Sequence, residues 1–428
     1  MIPPVHHLAL DGLDILTARF GETGQTSLSV YRARTVLETP PTAGLAALAI
    51  RAMMRGTTRH SASELAFAIE SLGGSLSPTL GADVLGFGTT VLSEHIPAAA
   101  QLLAEVFHQP RFASESVAIE RALLLDDARS VADDMVRFPV QLMLGVAFND
   151  IGYGSPSLGT QESLAAFTAE SVHRWHATML TGGRTTIIAV GDTDPEQLAA
   201  DVAYAFELSG GAARGASAAG VGPLANHRPP ERRSRAAPPD RIAPGTRTET
   251  RDRKQSTLAM LFPGPSRRDP ARFAAKTWAA IAAGLGGRMF ESLRSKRSLA
   301  YTVIANSWQR RTAGGLLTYI ATDPARLDEA RDAMLEELET FRREPPSSEE
   351  LSRAKAVLVG EVEMSRQTAG GYAAEIADAW LLGEGLDELD DPAAPYRAVT
   401  ADEVHAVTAR SLDPASRAEG VVAAAATE

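Results

Sequence analysis

The chain repeats itself once, and that repeat limits the folds open to it. The run Phe167-Thr168-Ala169-Glu170-Ser171-Val172-His173 returns 232 residues later as Val399-Thr400-Ala401-Asp402-Glu403-Val404-His405. A helix-start pattern at Ser114–Ala122 recurs at Ser347–Ala356, and the strand-like run Arg184–Val190 has a late counterpart at Gly420–Ala425. Three matches in the same order, at nearly constant spacing, describe two copies of one unit of about 200 residues, an ordinary domain size. Between them, residues 209–246 are rich in Gly, Ala, Pro and Arg and show no apolar period, so they read as a linker. The expected division is 1–210, a linker at 211–246, and 247–428. The RRSR inside the linker reads as a solvated charge cluster.

Local patterns fill in each unit. In the first, alternating apolar positions predict strands at 6–18 and 26–36, and residues 42–55 predict a helix. Ser61-x-x-Glu64 is a capping box that starts another helix, which Gly73-Gly74 ends. Strands are expected near 75–80 and 85–92, followed by helices at 96–108, 114–131 and 137–148. In the second unit, strands are expected at 255–262, 299–309 and 315–322 and helices at 270–283, 325–342 and 347–365. Strands grouped on either side of helix pairs give an α+β class. The expected architecture is two homologous domains, each a mostly antiparallel sheet with helices packed on one face.

Composition excludes several functions. With 44% hydrophobic and 22% charged residues, a sizeable core is available. A net charge of −11 disfavours nucleic acid as a partner, since phosphate binding needs a basic face, and it is compatible with cationic or amphipathic peptides. Cysteine is absent, which rules out disulfides and thiolate metal sites. The N-terminal stretch has no basic segment ahead of an apolar one, and no apolar run reaches membrane-spanning length. No membrane insertion is expected. The chain reads as cytoplasmic, with a periplasmic location open to it if a signal peptide was removed.

One stretch carries chemistry. Residues 284–301, GLGGRMFESLRSKRSLAY, run from a glycine turn into a short basic helix and then into a strand. Arg294 and Tyr301 are thereby placed to donate hydrogen bonds into one cleft. The plainer alternative is that Arg294 caps a helix C-terminus while Tyr301 packs in the strand. No nucleophile elbow, Walker loop or dinucleotide fingerprint is present, and Gly284-Leu285-Gly286-Gly287 alone does not make a phosphate site. Of nine histidines, the one close set is His173-x-x-His176, which reads as surface histidines on a partly exposed helix.

A series of short motifs runs through both halves in order. They are Gly44 to Gly56-Thr57, Ser63-Glu64-Leu65 leading to Leu72-Gly73-Gly74, Val91–Glu94, Gly191-Asp192, Pro263-Gly264-Pro265, and Arg294-x5-Ala300-Tyr301. Together they make the whole chain resemble the pitrilysin/insulinase-type zinc metallopeptidases, in the small bacterial and mitochondrial-processing-peptidase-like branch. Active members carry H-x-x-E-H just before the Gly-Thr, two histidines for zinc and a glutamate as general base. The matching positions here are Ala47, Leu48, Ala49, Ile50 and Arg51, and the third ligand corresponds to Asp126 or Asp127. The resemblance therefore implies no catalytic zinc in this chain.

It further implies that Arg294 and Tyr301 reach toward a scissile peptide bond at another subunit's metal. It also implies that Gly284, Gly286 and Gly287 take part in substrate binding. Arg288 and Arg297 are expected to be solvated or substrate-steering. The implied function is the non-zinc subunit of a heterodimeric metallopeptidase, inactive alone, with a zinc-containing homologous partner and peptides or unfolded polypeptides as substrate. The alternative is a catalytically inert structural or peptide-binding relative, like core subunits of respiratory complexes, possible as a homodimer.

Overall fold

The computed structural model describes residues 3–34, 36–210, 222–223, 242–284 and 286–425. The first half contains β1 (His6–Leu10), β2 (Leu13–Arg19), β3 (Gln25–Ala33), α1 (Leu45–Met53), α2 (Ala62–Ser71), β4 (Ser77–Leu80) and β5 (Val84–Leu92). It continues through α3 (Ile96–His108), α4 (Ser114–Asp133), α5 (Arg137–Ala147), α6 (Gln161–Ala165), α7 (Ala169–Thr181), β6 (Thr185–Gly191) and α8 (Pro195–Gly210). After a short β7 (Gly222–Pro223) come β8 (Gly245–Arg251), β9 (Ser256–Pro263), α9 (Arg272–Ala282), β10 (Thr302–Gln309) and β11 (Gly314–Thr322). The chain ends with α10 (Leu327–Arg343), α11 (Ser348–Ser365), α12 (Ala369–Leu381), α13 (Ala394–Ala398), α14 (Ala401–Ser411) and β12 (Ala418–Ala424). Most of the expected linker lies outside the described residues.

Hydrogen-bonding side chains set the helix starts. Ser61 accepts from the Glu64 amide while Glu64 reaches back to the Ser61 amide at 2.8 Å. Thr168 with Ser171 and Thr400 with Glu403 form the same reciprocal cap at equivalent points of the two copies. Each satisfies amides that a helix N-terminus otherwise leaves unpaired.

The sheets confirm the α+β class and the repeat. The first runs β4-β5-β3-β6-β2-β1-β7 and the second β10-β11-β9-β12-β8. The first five strands of each correspond one to one. In both sheets a single pair is parallel, β2 with β6 and β8 with β12, and the other pairs are antiparallel. Strands β6 and β11 are buried along their whole lengths, as expected where both faces of a strand are covered.

What covers the second face is a finding that helix periodicity did not reveal. Each sheet packs its own helices on one face and borrows a single helix from the other half for the opposite face. From α12, Tyr372, Ile376 and Trp380 bury against Leu16, Ala18, Ile188 and Val190 of the first sheet. From α5, Met143 and Ala147, with Phe148 just beyond, bury against Ala259, Leu261 and Tyr319 of the second.

The approach of α5 is close. A Cβ on Gly420 in β12 would lie 2.0 Å from the Pro139 carbonyl oxygen and 2.5 Å from the Met143 nitrogen, both backbone atoms. Gly420→Ala is therefore expected to push α5 off its sheet and lower stability by about 1–3 kcal/mol, read as a fall in midpoint on denaturant titration. Polar ties reinforce the exchange. Tyr319 Oη donates to the Met135 carbonyl at 2.7 Å, and Arg247 makes a two-pronged pair with Asp150 at 2.7 and 2.8 Å. No helix among the described residues is long and apolar enough to cross a membrane.

Candidate functional site

In the first half, the positions that match a metal motif lie on α1, which crosses α4. Ala47 and Ile50 are 3% and 1% exposed and belong to the hydrophobic core. Arg51, one turn after Ala47, donates through Nη2 to Asp127 Oδ2 at 2.7 Å. Asp126 turns away and pairs with Arg129 on its own helix at 3.1 Å. Of the two candidate carboxylates, Asp127 is thus the one facing α1. A second guanidinium, Arg55, pairs with buried Glu120 one turn along.

These residues do not fit zinc. They offer a methyl group, an apolar side chain and a cation in place of two imidazoles and a base, and among the described residues no three His, Asp or Glu side chains gather to hold a metal. Arg51 instead sets its own positive charge beside the one remaining carboxylate. Asp127 is half exposed, so Asp127→Ala is expected to change stability by less than about 1 kcal/mol, measured by thermal unfolding.

In the second half, the glycine turn leads into a π-helical turn, Phe290–Lys296. Extra backbone per turn of this kind is frequent at functional sites. Ser298 then takes a positive φ of 50°, unusual for a residue with a Cβ. Several bonds hold this bend. The Leu299 amide donates to the Leu293 carbonyl at 2.8 Å, Thr322 Oγ1 donates to the Leu299 carbonyl at 2.6 Å, and Arg326 Nη1 donates to the Ser298 carbonyl at 3.0 Å. Arg326 is itself gripped by Glu329 at 2.8 and 2.9 Å. The two side-chain supports were not legible in the sequence, because Thr322 ends the second strand after the bend and Arg326 follows it.

On this bend the structure brings Arg294 and Tyr301 together. Arg294 Nη1 donates to the Tyr301 backbone carbonyl at 2.8 Å, and its guanidinium lies 5.1 Å from the Phe290 ring centroid. Tyr301 is 52% exposed, and its phenol makes no hydrogen bond among the described residues. Arg294 is also exposed. The local-capping alternative does not describe the bend, since the carbonyl that Arg294 holds is that of Tyr301 just before β10 and not one at a helix C-terminus, and Tyr301 does not pack into the core.

The flanking arginines are committed elsewhere. Arg288 is gripped by Glu350, with Nη2 at 2.7 Å from Oε2, and this bond together with the Ser347 cap pulls the Glu350 carboxyl down to about 2. Arg297 pairs with Glu336 at 2.8 Å. Gly284, Gly286 and Gly287 lie apart from the Arg294–Tyr301 pair, in the wall of a cleft of about 690 Å³ between α9, α11 and β10.

Of the two histidines expected at the surface, His173 is exposed and His176 is not. His176 is 7% exposed and bonded to the Phe107 carbonyl at 2.8 Å, with its ring and that of His173 edge-on to Phe112. The aromatic residues Phe107 and Phe112 close over this face of α7, which the helix's polar composition concealed. His108 joins the cluster against Phe107 and Phe206. Burial, aided by nearby His176 and Arg32, pushes His108 down to about 4, and burial lowers His176 as well.

A histidine held neutral in the native state adds stability in full above its unfolded value of 6.5. Below that value the unfolded chain takes a proton that the native chain refuses. Unfolding free energy is therefore expected to fall by about 3 kcal/mol between pH 6.5 and pH 4 from His108 alone. Denaturant titration across that range checks it, and His108→Leu should flatten the profile.

Comparisons agree with this geometry. The description "Insulinase (Peptidase family M16)" matches residues 35–160, and "Peptidase M16 inactive domain" matches residues 166–358. An uncharacterized zinc protease of Streptomyces coelicolor is 26% identical over 371 residues, covering 86% of this chain and 78% of that protein. A protease from Helicobacter pylori superposes with a TM-score of 0.83 at 14% identity, over 98% of this chain and 100% of that one. A peptidase M16 inactive domain from Pseudomonas fluorescens superposes with a TM-score of 0.81 at 18% identity, over 99% of this chain and 98% of that one. With both matched segments in order on a doubled α+β fold, the chain belongs to the insulinase family of M16 peptidases.

Proposed function

We propose that this chain is the non-zinc subunit of a heterodimeric M16 metallopeptidase, paired with a homologous subunit that carries H-x-x-E-H and the zinc. The observation that carries this reading is a contrast within one chain. The metal positions on α1 are filled by Ala47, Ile50 and the Arg51–Asp127 pair, while Arg294 and Tyr301 stay exposed on a bend fixed from several sides. Core packing does not require an exposed tyrosine there.

In this role Arg294 and Tyr301 act on the substrate carbonyl. As its carbon is attacked, charge gathers on the oxygen, and two donors held in place stabilise it without having to reorganise. The guanidinium supplies a permanent charge and the phenol a neutral donor. Gly284, Gly286 and Gly287 admit the substrate backbone at the cleft between α9 and α11, since they place no side chain in its path.

The test is cleavage of a quenched fluorogenic peptide by this chain alone and with a zinc-motif homologue from the same source. The expected result is no cleavage by the chain alone, even after metal stripping and zinc repletion, and cleavage by the pair. Cleavage by the zinc-repleted chain alone would overturn the proposal.

A further inference from the structure

The first half holds a pocket that the peptidase role leaves unused. It lies between the end of β3, the start of α1 and one face of α7, and encloses about 330 Å³. That is the small end of the range for ligand sites, about 300–1,000 Å³. Val36, Leu37, Leu45, Leu85, Trp175 and Met179 give it apolar walls. Exposed Val36, Arg174 and Thr178 stand at its mouth.

The repeat shows that this space belongs to one copy. At the offset of 232, Trp175 and Met179 of α7 correspond to Val407 and Ser411 of α14. The neighbouring pair supports that alignment, since His176 bonds the Phe107 carbonyl and its counterpart Thr408 bonds the Phe341 carbonyl. Val407 and Ser411 are each 3% exposed, whereas Trp175 and Met179 are half-buried. So α7 leaves open a face that α14 buries. The segment that forms the opposite wall is fixed by buried Glu38, which accepts from the Ala46 amide and pairs with Arg34, both at 2.9 Å.

Four ionisable side chains line the pocket, the guanidinium groups of Arg32, Arg34 and Arg174 and the carboxylate of Glu38. Glu38 is taken by Arg34. Buried Arg32 donates to the Met179 and Gly183 carbonyls and to Thr185 Oγ1. Arg174 gives Nη2 to Glu170 at 2.8 Å, but Glu170 is 82% exposed and lies outside the wall. An ion pair that open to water contributes little, and a guanidinium has further N–H groups to give. The lining is therefore cationic on balance, with Arg174 the donor at the mouth.

Volume sets the size of ligand. At about 30 Å³ for each water-sized group, the space admits roughly a dozen non-hydrogen atoms. We propose that the pocket binds a small carboxylic acid with an aromatic tail. The ring lies against Trp175 and Met179, where ring and sulfur contacts both favour it, and the carboxylate lies at Arg174. The site needs neither a metal nor a partner subunit.

Titration of the full chain with phenylbutyrate, its ring at the far end of the chain, and with the matching alcohol and amine tests this. The three share ring and chain and differ in the end group. The acid should give a one-to-one calorimetric isotherm below about 10 mM, the range for a dozen-atom ligand of ordinary efficiency. It should also shift tryptophan emission, and Trp175→Phe should abolish the shift while keeping the heat. The alcohol should bind at least about tenfold more weakly, having lost a charge-assisted hydrogen bond, and the amine more weakly still. Arg174→Ala should bring acid and alcohol to within about threefold of one another. Equal affinity of the unmodified chain for acid and alcohol would overturn the proposal. So would no binding of the acid at that concentration, or an emission shift that survives Trp175→Phe. The comparison of end groups on the unmodified chain stands whether or not the variants keep their melting temperature. Because no cleavage is read, failure here leaves the paired-subunit assay unaffected, and failure there leaves this binding intact.

Discussion

Produced alone, residues 1–210 are expected to fail to form a cooperative domain, and residues 242–428 to fail in the same way. The cause is the reciprocal loan of α12 and α5. Without the second half, the face of the first sheet bearing Leu16, Ala18, Ile188 and Val190, each 0% exposed in the intact chain, loses its covering helix. Exposing the Leu16, Ile188 and Val190 side chains alone costs roughly 5–9 kcal/mol. The whole stability of an ordinary domain is about 5–15 kcal/mol. In the second half, Ala259, Leu261 and Tyr319 lose α5, and the Tyr319 hydroxyl, bonded to the Met135 carbonyl at 2.7 Å, loses its acceptor.

The measurement is thermal unfolding and hydrophobic-dye binding by each half, separately and after co-expression. Separate halves should bind dye and melt without a sharp transition, while the co-expressed halves should reassemble and melt like the intact chain. A sharp transition from residues 1–210 alone would show that the exchanged helix is dispensable. The same physics favours keeping the two halves in one chain.

How much of this was legible beforehand depends on the range over which each feature is determined. The Ser61–Glu64 cap is local, and its pattern located a helix start that the structure confirms, whereas the Thr168–Ser171 and Thr400–Glu403 caps stood in the repeated segments and were recognised as caps only in the structure. The doubled sheet followed from the repeat. The helix exchange did not, because the apolar stripe of α5 states that one face is buried and not which sheet buries it. Strand β8, with the sequence GTRTETR, escaped notice because an edge strand of alternating polar residues has no apolar signature.

Site residues divide the same way. Missing metal ligands on α1 were countable from the Gly56-Thr57 landmark, but the ion pair linking Arg51 to Asp127 joins helices 76 residues apart in sequence and needed the fold. The spacing of Arg294 and Tyr301 was visible, whereas the contact between them runs through a backbone carbonyl that no side-chain pattern encodes. His176 was misassigned to the surface because its cover, Phe107 and Phe112, comes from the end of α3 and the segment after it.

The second large effect concerns that pair. Removing one oxyanion donor costs about 10²–10³-fold in turnover in other enzymes. Tyr301 is exposed, and the Arg294 side chain makes one described hydrogen bond, to the Tyr301 carbonyl, beside its contact with the Phe290 ring, so their loss should leave the fold nearly unchanged. Arg294→Ala will free that carbonyl on an exposed bend still held by Thr322 and Arg326. Donors acting on one oxygen are not additive, so the double variant should fall somewhat short of the product of the single losses. Melting temperatures within a degree or two of the parent would separate lost chemistry from lost structure.

The most direct test of the central claim is therefore turnover of a quenched peptide by the complex of this chain with a zinc-motif partner, carrying Arg294→Ala and Tyr301→Phe together. The account predicts a fall in kcat of at least about 10²-fold with little change in KM and an intact complex. Parent-level kcat from that double variant would contradict it.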